Sequence, residues 1–192
     1  MIPKAKKNLH ECEYHLQKMV DSRNVEELEI NFAAFVNSAR NITFVLQKEF
    51  TDNSIFTEWY KVKRIEMDGD PLCKFFKILR NNIVKEGINN LNFNTRVKSL
   101  NTATDMIDKP PNSDILIGHR GISYLINKGT PQEDIIPASS KGQILTEVFV
   151  ENAPKYHLDQ EIKENNIINI SNIYYSYLKK IVEEFTGIIN KK

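Results

Sequence analysis

The residues best placed to do chemistry lie between Pro71 and Gly87. At about 100° per residue, Lys74, Lys77, Asn81 and Lys85 form one polar stripe of a helix. It runs nearly opposite an apolar stripe of Leu72, Phe75, Phe76, Leu79 and Ile83. Arg80 falls on the border, where its stem can cover apolar surface and its guanidinium can run along a groove. Such a ridge can meet a phosphate or another anion; it can equally be a solvated face with Arg80 paired to a nearby acid. Arg40 and Asn41 sit midway along an earlier helical stretch, close to its apolar seam. If those two helices pack together, Arg40 approaches the polar cluster of the later one. A second candidate is the loop Gly118-His119-Arg120-Gly121. Its glycines permit close backbone approach, so His119 and Arg120 could clasp an anion, or merely form the exposed tip of a β-turn.

Other constellations point to structure. His10 and His15 are five apart and do not share a helix face as an i, i+4 metal pair does. No cysteine or acidic partner completes a site with His119 or His157 in the sequence. Cys12 and Cys73 fall inside helical apolar patterns and read as buried thiols. No metal and no cofactor is expected. There is no phosphate-binding Gly-Lys-Ser/Thr loop, no Gly-x-Ser-x-Gly elbow and no dinucleotide fingerprint. Ser139-Ser140-Lys141-Gly142 reads as a turn. Tyr174, Tyr175 and Tyr177 beside Lys179 and Lys180 have the aromatic and basic mix of single-strand binders. Tyr174 and Tyr177 nevertheless fall on an apolar helix face, which is a core position.

The elements that must position these residues are mostly helical. Leu9, Cys12, Leu16 and Met19 mark one face of a helix over Lys6 to Val20. Val25, Leu28, Phe32, Phe35, Ala39, Ile42 and Leu46 follow a seven-residue repeat, the pattern of a long helix packed lengthwise. Thr51 to Ser54 breaks it and caps a third helix, Ile55 to Met67, which carries Phe56, Trp59 and Tyr60. Asp70 and Pro71 then cap and open the fourth, which stops near Gly87. Beyond it, β-like runs at Asn92–Leu100, Asp114–Ile117, Ile122–Ile126 and Ile144–Val150 alternate with turn residues. Gly118 and Gly121 flank one turn, and Lys128-Gly129 marks another. A last helix, capped by Ser171, places Tyr174, Tyr177, Leu178, Ile181, Phe185 and Ile188 on one side, an apolar face that must be covered.

Composition sets outer bounds. A chain of 192 residues fits one domain with room for an appendage. With 26 basic against 25 acidic residues it lacks the basic excess of a dedicated duplex binder. The basic stretch Met1 to Lys7 leads into no apolar run, and no run approaches the roughly 18 residues that span a bilayer. A cytoplasmic protein without membrane contact is expected.

The long second helix, the aromatic third and a fourth ending in Arg80-Asn81-x-x-x-Lys85 resemble the HEPN domains, a superfamily of small helical bundles. The resemblance covers residues 5–88 and extends to the last helix. Its signature is Arg, a polar residue that is often Asn, a short spacer and then His near the end of a late helix. Many members are metal-independent ribonucleases of toxin–antitoxin or antiviral systems, commonly homodimers with the two motifs facing each other. Arg80 matches the family arginine and Asn81 the polar position; Lys85 stands where the family has histidine. A histidine exchanges a proton near neutral pH. A lysine, with an ordinary pKa of about 10.4, stays charged and binds phosphate instead.

The expectation is therefore a mainly α (α+β) fold. The fold is a four- to five-helix bundle in all, with a helical bundle over 1–88 followed by a small antiparallel β insertion over 89–160. A C-terminal helix, 161–192, packs back on the bundle, making one domain overall. The resemblance implies a HEPN-like, non-catalytic or weakly catalytic module, homodimeric, that binds RNA or a cognate protein in bacterial defence or a toxin–antitoxin system. Arg80, Asn81, Lys85, Lys77, Lys74 and Arg40 are its expected contacts. The alternatives are a structural or protein-interaction protein that uses the β region, and a metal-independent ribonuclease.

Overall fold

Three side chains fix where the helices of the first half begin. The computed structural model describes residues 3–22, 24–88 and 91–190. In it α1 spans Pro3–Val20, α2 Val25–Glu49, α3 Ser54–Gly69 and α4 Pro71–Glu86. Asn24, Asn53 and Asp70 each accept a hydrogen bond from the backbone N–H three residues on, that of Glu27, Phe56 and Cys73 respectively. Each thereby satisfies one of the orphan donors of a helix start. Pro71 sits in the first turn of α4, where its missing N–H costs nothing. Gly87 ends that helix at φ 78°, a left-handed conformation that glycine adopts without penalty.

The seven-residue pattern of α2 becomes its buried face. Leu28, Phe32, Phe35, Val36, Ala39, Ile42, Thr43 and Leu46 are all buried, and the helix packs against α1 and α4. The last helix, α5, spans Ile167–Asn190 and lies on α1, α2 and α4. It buries eight apolar side chains, from Ile167 to Phe185. At about 1.5–3 kcal/mol for each fully buried large side chain, packing dominates over anything its ends contribute. Phe185 is at the centre of an aromatic cluster, with ring centroids 4.9 Å from Phe50, 4.9 Å from Phe56 and 5.1 Å from Trp59. Tyr174 stacks on Phe76 at 4.2 Å.

The start of α5 differs from the sequence expectation. The helix opens a turn before Ser171, because the Asn166 side chain accepts from the Asn169 N–H at 2.9 Å and caps it first. Ser171 is buried inside the helix.

Among the described residues nine strands follow α4: β1 Leu91–Ser99, β2 Met106–Ile107, β3 Asp114–Gly118, β4 Gly121–Ile126, β5 Asp134–Pro137, β6 Ser139–Ser140, β7 Gln143–Val150, β8 Tyr156–His157 and β9 Gln160–Glu161. β1 pairs with β7, β2 antiparallel with β6, β4 antiparallel with both β3 and β5, and β8 antiparallel with β9. The β region is thus more than a small insertion. Its two-residue strands escape a periodicity search, since two residues carry no alternation.

The chain divides into two units. One holds the five helices with β8 and β9. The other, Asn92–Val148, buries Tyr124 and Val148. There the Tyr124 hydroxyl donates to the Ile107 carbonyl at 3.0 Å, and Lys128 pairs with Asp114 at 2.7 Å. Among the described residues no helix is long and apolar enough to cross a membrane.

Cys12 and Cys73 are buried free thiols. Burial pushes the Cys12 thiol up to about 12, with Glu11 adding to the effect. The Cys73 thiol is pushed up as well, by burial and by the Asp70 carboxylate beside it.

Candidate anion-binding site

Three helices of the first unit place polar side chains around one cavity. On α2, Arg40, Thr43 and Gln47 follow one another at spacings of three and four, so they line a single face. On α3, Tyr60, Arg64 and Asp68 do the same at spacings of four. On α4, Cys73 and Lys77 are also four apart. These residues, with Met67 and with Tyr174 of α5, line a cavity of about 280 Å³. That is the small end of ligand-pocket sizes.

The cavity is ordered by its own hydrogen bonds. Arg40 Nη1 donates to Thr43 Oγ1 at 2.8 Å. Gln47 Nε2 donates to the Tyr60 hydroxyl at 3.0 Å and to the Thr43 carbonyl at 3.1 Å. Burial pushes the Tyr60 phenol up, while Thr43 and the Arg40 and Arg64 cations pull it only part of the way back. It therefore stays protonated at neutral pH and keeps a hydrogen to donate. Asp68 is held from two sides, by Lys77 Nζ at 3.3 Å and Arg64 Nε at 3.7 Å. Three cations, Arg40, Arg64 and Lys77, face the one carboxylate of Asp68 among the lining residues. The balance is two positive charges at the mouth of a concave site, and low-dielectric walls focus that field on an entering anion.

This arrangement is suited to binding. No lining residue is a histidine, the Tyr60 phenol is held in its neutral form, and Asp68 is occupied by two cations. Arg40, Arg64 and Lys77 supply donors of the kind that pair with phosphate oxygens.

The residues singled out by sequence are distributed over several places. Arg40 and Lys77 meet in the cavity. Lys74 lines a separate depression with Phe75, Ile78, Asn82 and Ile83. Arg80 is half-buried, as its border position implies, and its Nη1 reaches Asn81 Oδ1 at 3.5 Å. Asn81 and Lys85 are exposed further along α4; neither they nor Arg80 line the cavity. In the second unit His119 stacks on Phe93 at 4.2 Å, and Arg120 is exposed at the tip of the β3–β4 turn.

Arg64, Thr43, Gln47 and Tyr60 were not singled out by sequence reasoning. A signal for two of them exists. Thr43 and Gln47 extend the polar line begun by Arg40 along a helix otherwise read for its apolar seam. Arg64 gives none, because an Arg four residues before Asp68 is the ordinary exposed pair of a helix surface.

Residues 2–183 match the family described as bacteriophage lambda protein ea47. No curated protein and no solved structure matches the chain. Since the family match runs through the α2–α4 cavity and most of α5, the chain belongs to the bacteriophage lambda ea47 family.

Proposed function

We propose that this protein is a non-catalytic, HEPN-like module of a bacteriophage that binds single-stranded RNA, seating a backbone phosphate in the α2–α4 cavity. The observation that carries the reading is the convergence of Arg40, Arg64 and Lys77 on one concave site. Lys74, Arg80, Asn81 and Lys85 extend the contact along α4, where the Arg-Asn-x-x-x-Lys run resembles the HEPN signature. A near-neutral chain suits a ligand held at a few phosphates better than one tracked along a duplex. The reading includes a homodimer, the common state of HEPN domains, and a role at the encounter between phage and host defence.

Binding of a short, fluorescently labelled RNA strand, followed by anisotropy, tests it. Affinity is expected to fall steeply between about 50 and 200 mM salt, as released counterions require. Absence of binding at the lower salt removes the reading. The second reading, a cognate protein in place of RNA, is favoured by the apolar depression along α4, where Ile78 is 60% exposed.

A further inference from the structure

Asp70, Cys73 and His157 bring a carboxylate oxygen, a thiol sulfur and an imidazole nitrogen within 4.8 Å of one another. They come from two distant places in the chain, the opening of α4 and the β8–β9 hairpin. All three are withdrawn from water: Asp70 and Cys73 are buried, and the His157 side chain is 12% exposed. His157 Nδ1 lies 3.1 Å from Asp70 Oδ1. Two ligand atoms at about 2.0–2.1 Å from a zinc-type ion, subtending about 100°, stand at that separation.

The surroundings hold the ligands in place. Asp70 Oδ2 accepts from the Leu158 N–H at 2.8 Å, which fixes the plane of the carboxylate as outer bonds do in metal sites. The turn that delivers His157 is strained. Leu158 and Asp159 both take the left-handed conformation, at φ 44° and 62°, and the first of these positions ordinarily holds Asn, Asp or Gly. Strain of this kind collects at functional sites. Asp70 caps the helix through the Cys73 N–H, and the Cys73 thiol is a further partner of the same carboxylate. The N-terminus of α4 favours the anionic Asp70 carboxylate.

We propose that Asp70, Cys73 and His157 form a site for a divalent transition-metal ion of the zinc class. Its ligands are Asp70 Oδ1, Cys73 Sγ and His157 Nδ1, with solvent in the fourth position. The mixed oxygen, sulfur and nitrogen set suits zinc or cobalt and not magnesium or calcium, which take oxygen. On binding, the Cys73 thiol proton leaves to solvent and the imidazole proton resides on Nε2. The ion ties the β8–β9 turn to α4. The site adjoins the α2–α4 cavity, whose lining includes Cys73, but it uses none of the cations Arg40, Arg64 and Lys77.

Metal-depleted full-length protein is titrated with Co²⁺ and followed by absorption. One equivalent is expected to give a near-ultraviolet thiolate-to-cobalt band with the visible bands of a four-coordinate ion, and Zn²⁺ is expected to displace it. Cys73→Ser should lose the thiolate band, His157→Gln should weaken binding by about tenfold or more, and Cys12→Ser should change neither. Should Cys73→Ser fail to fold, as judged by Trp59 fluorescence, His157→Gln carries the test. A folded wild type without the thiolate band overturns the proposal. So does a band that survives in folded Cys73→Ser, or undiminished affinity in His157→Gln.

Discussion

Replacing Arg40, Arg64 and Lys77 together with alanine is expected to weaken binding of single-stranded RNA by at least about a hundredfold at low salt. Each cation donates a charge-assisted bond of about 1.5–3 kcal/mol, and three of them line the same cavity. The salt dependence should change in step. With about 0.7 of a counterion released per neutralised phosphate on a single strand, losing the phosphate seated in the cavity lowers the log–log slope by about 0.7. Folding should lose no more than about 2–3 kcal/mol, because the pairs lost with Asp68 are exposed and contribute about 1 kcal/mol or less each, and the Arg40–Thr43 bond contributes about 1 kcal/mol. The comparison needs anisotropy at several salt concentrations and a melting curve for each protein. A folded variant with wild-type affinity and slope would place the RNA elsewhere.

The largest effect on stability is expected at Asp70. Its carboxylate caps α4 through the Cys73 N–H at 2.8 Å, accepts from the Leu158 N–H at 2.8 Å and meets His157 at 3.1 Å. Asp70→Ala removes a cap worth about 1 kcal/mol. It also leaves a second backbone donor and an imidazole without their charged acceptor, each costing about 1.5–3 kcal/mol. The sum, about 4–7 kcal/mol, should lower the melting temperature by about 10 °C or more for a chain of this size. Chemical unfolding followed by Trp59 fluorescence measures it directly, and a loss below about 1 kcal/mol contradicts the account.

Asp70 also fixes the sign of an acid response. Burial raises its pKa, but the bonds from Leu158, Cys73 and His157 outweigh burial, so the folded value lies below the ordinary one. A group with a depressed folded pKa contributes stability above its unfolded value, about 3.9. That contribution is lost as pH falls through the folded value. Wild-type stability should therefore drop below about pH 4, and Asp70→Asn should show a flatter curve there.

Helix boundaries were legible wherever a single side chain decides them. Asn53 and Asp70-Pro71 announce their helices because capping is local chemistry, and Gly87 ends α4 for the same reason. The seam of α2 was legible because packing lengthwise imposes a period. Ser171 misled because two polar residues compete for one helix start, and Asn166, the earlier of them, already satisfies the first-turn donors. Two-residue strands such as Tyr156–His157 are defined by their partners and carry no pattern of their own.

The site was readable in part for similar reasons. Arg40 stands out as a charge beside an apolar seam, and Lys77 as one of a row. Arg64 joins them only through the angle at which α3 crosses the cavity, which no spacing within α3 encodes. The Asp70–His157 contact joins residues 87 positions apart. Each looks structural alone, and only the fold makes them a pair.

The claim that Arg40, Arg64 and Lys77 hold the RNA is tested most directly by following the arginine Nε–Hε signals in nitrogen-labelled protein during titration with a short single-stranded RNA. The signals of Arg40 and Arg64 should shift progressively and saturate, while those of Arg96 and Arg120, in the other unit, stay in place. Saturating RNA that moves Arg96 or Arg120 and leaves Arg40 and Arg64 unmoved would contradict the account.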